Sequence, residues 1–241
     1  MVRHIKANAH LLVSGFACAL VAHDEVCRVH LKDVVAIGRA VALIAQIGIP
    51  WYNVPGNHEL NFEANSDEYS LETFKKFFGP PYYAFEYADA LFVVLDNIDY
   101  QGNGEADPGD VRGNGGYEAR ISKRQLRWLE KELEYVDKDR LVFVATHAPL
   151  GSEVTSSATD NRRGLFQLLS GRPNLYSVAG HTHTNNHLYF GEEDGFDGPG
   201  EFHHHVLATV SGSWMSQFHS HCLLCSNWHL HKVRLQTHPR R

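Results

Sequence analysis

The sequence predicts an α/β fold, and three observations carry that class. Residues 31–54 read as a helix followed by a strand, the repeating unit of an α/β sheet. Leu141 to Ala145 and Leu175 to Ala179 are near-continuous apolar runs, as expected of strands covered on both faces. Between the runs lie segments with helical periodicity and capping signals.

In chain order, Val34, Val35, Ile37, Val41, Ile44 and Ile47 share one helical face, with Gly48 and Pro50 as the stop. Ile49 to Val54 is then expected as a short strand. Leu71, Phe74, Phe77 and Phe78 predict a short helix closed by Gly79-Pro80-Pro81. Tyr83 to Tyr87 and Leu91 to Leu95 predict a hairpin turning at Ala88-Asp89, its second strand ending in Asp96-Asn97. Residues 99–118, rich in Gly, Asn and Asp, read as a long loop. Ser122-x-x-Gln125 reads as a capping box before the apolar face Leu126, Leu129, Leu133 and Val136. A helix around 162–169 ends at Gly171 and Pro173. His187 to Phe190 and Phe202 to Val210 are expected as further strands.

Length and composition narrow the function classes. A chain of 241 residues with 43% hydrophobic and 21% charged content can bury one sizeable core or two small ones. The formal charge of −6 gives no reason to expect a nucleic-acid or membrane partner. No apolar run has transmembrane length, and residues 11–22 fit a buried strand better than a signal peptide. The chain is therefore expected to carry neither a convincing signal peptide nor a transmembrane segment, and nothing in it indicates a compartment or an oligomeric state.

The two ends differ from the middle. All four cysteines and nine of the 17 histidines lie within residues 1–30 and 216–241, and the last 26 residues contain no Asp or Glu. Residues 31–215 are expected to be the folded body. Residues 1–30 read as an atypical N-terminal segment, and 216–241 as a disordered His/Cys-containing tail.

The histidines point to chemistry by their placement. Three apolar runs end at histidine-bearing turns: Gly56-Asn57-His58-Glu59, Thr146-His147-Ala148-Pro149 and Gly180-His181-Thr182-His183. Strand ends of α/β sheets are where such folds build their sites. In extended backbone His181 and His183 would share a face, with Gly180 giving the backbone room. Asn57, His147, His181 and His183 offer neutral N and O donors that suit Mn, Fe or Zn better than Ca. Adjacent His58 is then available for acid–base work.

These three turns, in this order, resemble the later motifs of the calcineurin-like metallophosphoesterases. Ile49 to Asn61, Leu91 to Asn97 and Phe202 to Trp214 are similar to a bacterial subgroup of that family whose catalytic domain has extra N- and C-terminal domains. The resemblance covers about residues 31–215. It implies a four-layer α/β/β/α sandwich, incomplete at the N-terminus, with metals at the strand ends. It places Asn57, His147 and His181 on one metal and His183 on the other. It makes His58 the proton donor to the leaving alkoxide while a metal-bridging hydroxide attacks phosphorus. The implied substrate is a small phosphate mono- or diester. Glu59 is either a partner that orients His58 or a plain helix-start carboxylate in a solvated turn.

The family's first motifs, an Asp-x-His and a Gly-Asp ahead of the Gly-Asn-His turn, have no counterpart before Gly56 here. Asp24, ending a strand-like run, is the nearest candidate for the bridging aspartate; Asn8-x-His10 lies too close to it to stand for Asp-x-His. Two close divalent cations need anionic ligands to offset their repulsion. The expectation is therefore weak binding of one metal, against two in intact relatives. One rival reading is a non-catalytic remnant without its bridging carboxylate. Another is a zinc-binding regulatory protein using His219, His221, Cys222, Cys225, His229 and His231. In the alternating run 203–205 at most His203 and His205 share a face, in structural or peripheral substrate roles.

Overall fold

A computed structural model describes residues 42, 46, 50–102, 116–152 and 157–208. The expectations for residues 1–30, Asp24 and 216–241 lie outside the described residues. Of the expected first helix, Ala42 and Gln46 are described and helical, and the Gln46 amide donates to Ala42 O one turn back.

The elements are α1 (Glu72–Phe78), β1 (Tyr83–Tyr87), β2 (Ala90–Val94), β3 (Ile98–Tyr100), β4 (Tyr117–Ala119), α2 (Lys123–Leu133), β5 (Leu141–Ala145), α3 (Arg162–Leu169), β6 (Leu175–Ala179), β7 (Asn186–Phe190) and β8 (Phe202–Val206). Among the described residues six strands form one sheet in the order β1-β2-β5-β6-β8-β7, and β3 pairs with β4 in a separate ribbon. The centre of the sheet, β2, β5, β6 and β8, is parallel, and both edges are antiparallel. This is the mixed α/β architecture expected.

Alternation along the strands separates two cores. Leu91, Val93, Val142 and Val144 pack with Leu129 and Leu133 of α2 and Leu165, Phe166 and Leu169 of α3. Phe92, Val94, Phe143, Ala145 and Val178 form the other face with Val54, joined by partly buried Tyr52, Phe85 and Tyr176. Both faces of β5 are thus buried, which explains its unbroken apolar run. Arg172 ties the helices together, donating to the carbonyls of Leu133, Val136 and Asp137 just where α2 ends. Leu133 O also accepts from Val136 N and Asp137 O from Arg140 N, so Arg172 adds to the turn bonds that close this helix end.

Local signals mostly translate as expected, with instructive exceptions. Ser122 Oγ accepts from Gln125 N, but the Gln125 side chain turns to the backbone of Asp96 instead of closing a reciprocal box. Residues 50–56, expected to include a strand, join no sheet among the described residues. That segment is held by side chains: Tyr83 Oη donates to Asn53 O at 2.9 Å, and the Tyr52 ring stacks on Phe85 at 3.7 Å. The ends of the expected 99–118 loop pair as β3 and β4, because backbone pairing needs no apolar run. Among the described residues no helix is long and apolar enough to cross a membrane.

Candidate active site

The chain enters the site at Gly56, whose backbone is extended, and tightens into a 3₁₀ turn over Asn57–Glu59. The turn closes on itself: Glu59 N donates to Gly56 O at 3.1 Å, and Gly56 N donates to Glu59 Oε2 at 2.7 Å. Glu59 is 2% exposed, so of the two readings left open for it the solvated helix-start group does not apply, and its carboxylate is a buried clasp. Asn57 is buried and His58 is exposed.

His147 meets this turn from the end of β5. A Cβ at Gly56 would lie 2.6 Å from His147 Nδ1, so only glycine lets the turn approach the ring this closely. On the ring's other side, His147 Nε2 lies 2.8 Å from Asn57 Oδ1 and 3.2 Å from His181 Nδ1. The His147 and His181 rings are tilted by 65° with centroids 5.0 Å apart. One amide oxygen and two imidazole nitrogens from three separate turns thus converge.

The third turn departs from the extended geometry expected. His181 and His183 both have left-handed backbone, with φ of 69° and 56°. Gly180 does not, and a Cβ there would meet nothing within 4 Å. The unusual dihedrals therefore fall on the histidines themselves, and the same-face argument for an extended His-x-His does not apply. Non-glycine residues in this region cost roughly 1–3 kcal/mol each and cluster at functional sites. Gly180 N donates to His147 O at 2.9 Å, linking the second and third turns. His183 is partly exposed.

Two residues that the sequence reading gave no role shape the site from behind. Asn97, at the end of β2, is fully buried and binds the backbone of the His147 loop. His204 on β8 is also fully buried; its Nε2 accepts from Leu150 N at 3.2 Å, and its Nδ1 lies 2.7 Å from Ser177 Oγ. That pairing sets the neutral ring with its proton on Nδ1, and burial pushes its pKa down to about 3. His203 and His205 point to the opposite face, as alternation predicted, and gather with His187. Burial lowers the pKa of both, that of His205 to about 4. The polar Asp96-Asn97 ending of β2 was the visible sign of Asn97; His204 had no sign beyond the triple histidine.

The family model for calcineurin-like phosphoesterases matches residues 29–185. This chain belongs to the calcineurin-like phosphoesterase family. The match takes in all three histidine turns. No curated protein matches the chain. Among solved structures, a dimetal phosphatase from Danio rerio is 21% identical, with a TM-score of 0.48, covering 75% of this chain and 69% of that one.

Phosphoesterases of this family use divalent metal ions, and the donor set can be tested against that requirement. Neutral imidazole and amide donors are those that Mn, Fe and Zn accept. His147 Nε2 faces two acceptors at once, and a cation replacing its proton would meet the same three atoms. The residues fit one such ion. Among the described residues no Asp, Glu or Cys joins the histidines in a metal-holding group of three. The donors that converge here among the described residues are thus one amide and two imidazoles.

Proposed function

We propose that the chain hydrolyses a small phosphate mono- or diester, with Asn57, His147 and His181 holding a divalent transition-metal ion and His58 donating a proton. His183 is the ligand available to a second ion. The observation that supports this reading is that Asn57 Oδ1, at 2.8 Å, and His181 Nδ1, at 3.2 Å, both meet His147 Nε2. A bound cation supplies neutralisation of phosphoryl charge and activation of water.

The chain's own residues do the rest. Asn57 Oδ1 and the imidazoles of His147 and His181 are the groups that would hold such an ion at the turn that carries His58. His58, next to Asn57 but exposed, is open to a leaving group arriving from solvent. Its imidazolium gives a proton to the departing oxygen, so that an alcohol leaves instead of an alkoxide. The Glu59–Gly56 clasp keeps Asn57 and His58 on a rigid turn.

A second reading is favoured by the uncharged donor set: a remnant that binds one metal weakly and does not turn over. Hydrolysis of an aryl phosphodiester and an aryl phosphomonoester with added Mn, compared with His58→Ala, separates the two. A loss of roughly a hundred- to ten-thousand-fold in kcat supports catalysis with His58 as acid. Equal rates for the two proteins favour the remnant.

A further inference from the structure

The β5 ladder stops at Ala145, yet His147 must be held to a fraction of an ångström for its Nε2 to meet two partners. The residue that holds it lies in the short link between β2 and β3. Asn97 Oδ1 accepts from His147 N at 3.1 Å and from Ala148 N at 3.0 Å. Its Nδ2 donates to Ala148 O at 2.8 Å and to Thr159 Oγ1 at 2.9 Å. A primary amide has two lone pairs and two N–H groups, and here all four are used. Asn97 is 0% exposed, so water cannot substitute for any of them.

We infer that Asn97 is a positioning residue for His147, fixing the imidazole in place through the backbone of its loop. An amide is the side chain this position requires. Aspartate would keep both acceptor bonds but set an oxygen against Ala148 O. A shorter side chain would leave the two loop N–H groups buried without an acceptor, at about 1–3 kcal/mol each. Thr159 extends the support, since its own hydroxyl reaches Pro149 O at 2.9 Å. Loop and ring are therefore braced from β2 on one side, while Gly180 N holds His147 O on the other. This role rests on the reading of His147 as a metal ligand.

Titration of the full chain with Co(II), followed in the visible spectrum, tests it. Asn97→Ser is expected to weaken Co(II) by about ten- to a hundred-fold, the usual effect of removing a contact behind a ligand, and to move the visible bands at saturation. Asn97→Asp, which keeps the acceptor, is expected to lose less. A merely structural role would lower the melting temperature and leave the bands in place, which would overturn the inference. If Asn97→Ser does not fold, Thr159→Val decides: weaker Co(II) binding supports positioning, and unchanged binding overturns it. His147→Ala separates the underlying reading. Wild-type affinity in His147→Ala sinks the metal assignment itself, whereas loss there with no loss in Asn97→Ser sinks the positioning role alone.

Discussion

The His147 ring lies directly against the backbone of Gly56, with room for a hydrogen but not for a methyl group: a Cβ there would be 2.6 Å from Nδ1 and 2.7 Å from Cε1. Two motifs far apart in sequence are therefore in contact through the one residue type that permits it.

Gly56→Ala must displace the His147 ring, which is itself 4% exposed and cannot swing into solvent. Overpacking of this kind costs about 1–3 kcal/mol. The expected outcome is a lower urea midpoint together with weaker Mn or Co binding. Unchanged metal affinity would show that the ring is not held where the contact implies.

His181→Gly should separate stability from function. Glycine adopts φ of 69° without strain, so the metal-free variant is expected to be as stable as wild type or more stable, by up to about 1 kcal/mol. Its metal affinity is expected to collapse, because Nδ1 is gone from its place 3.2 Å from His147 Nε2. Chemical denaturation with chelator present, paired with a metal titration, reads both effects.

Asp96 predicts a weakness on the alkaline side. Burial raises its carboxyl pKa from 3.8 to about 8. A raised folded pKa means that the protonated acid favours the fold, so the contribution is complete below pH 3.8 and is lost as pH climbs to 8. Asp96→Asn keeps an oxygen for the Ile98 N–H and cannot ionise. Wild type is expected to lose stability relative to this variant by up to about 1.4 kcal/mol per pH unit across that window. Urea melts at pH 5 and pH 8 provide the comparison.

His204 predicts the opposite slope. Its pKa lies near 3, below the ordinary 6.5, so the neutral ring favours the fold. That contribution is complete above pH 6.5 and is lost as pH falls toward 3. His204→Gln is expected to flatten the acid limb. His204→Leu should instead cost about 1–3 kcal/mol at neutral pH, since Leu150 N would lose its acceptor.

Metal removal bears on the uncharged donor set. After exhaustive dialysis against buffer, at most one metal per chain is expected to remain, because no Asp-x-His or Gly-Asp motif precedes the Gly56-Asn57-His58 turn in the sequence. Two tightly held metals by elemental analysis would sink that expectation.

Elements whose cause is local could be read in the sequence. The apolar runs of β5 and β6, the Ser122 cap and the Gly79 stop each depend on residues within a few positions. So did the alternation that turns His204 away from His203 and His205. The strand expected at 49–54 failed for the complementary reason: being a strand depends on a neighbour's backbone, and side-chain contacts hold 50–56 instead. The β3–β4 ribbon was hidden by its polar loop composition.

By itself the sequence determined the α/β class, the three histidine turns and the family to which they belong. Tertiary structure alone decided how those turns meet. Gly56 is needed for a ring 91 positions away in the numbering, His147 against 56, and Asn97 acts on a loop beyond four intervening elements. The left-handed backbone of His181 and His183 was likewise hidden, because the motif's glycine, Gly180, marked itself as the place for an unusual dihedral. Propensity and periodicity act over a few residues, whereas a site built from strand ends is a long-range contact, and its geometry exists only once the sheet has formed. The Gly56–His147 contact is where those two kinds of information join.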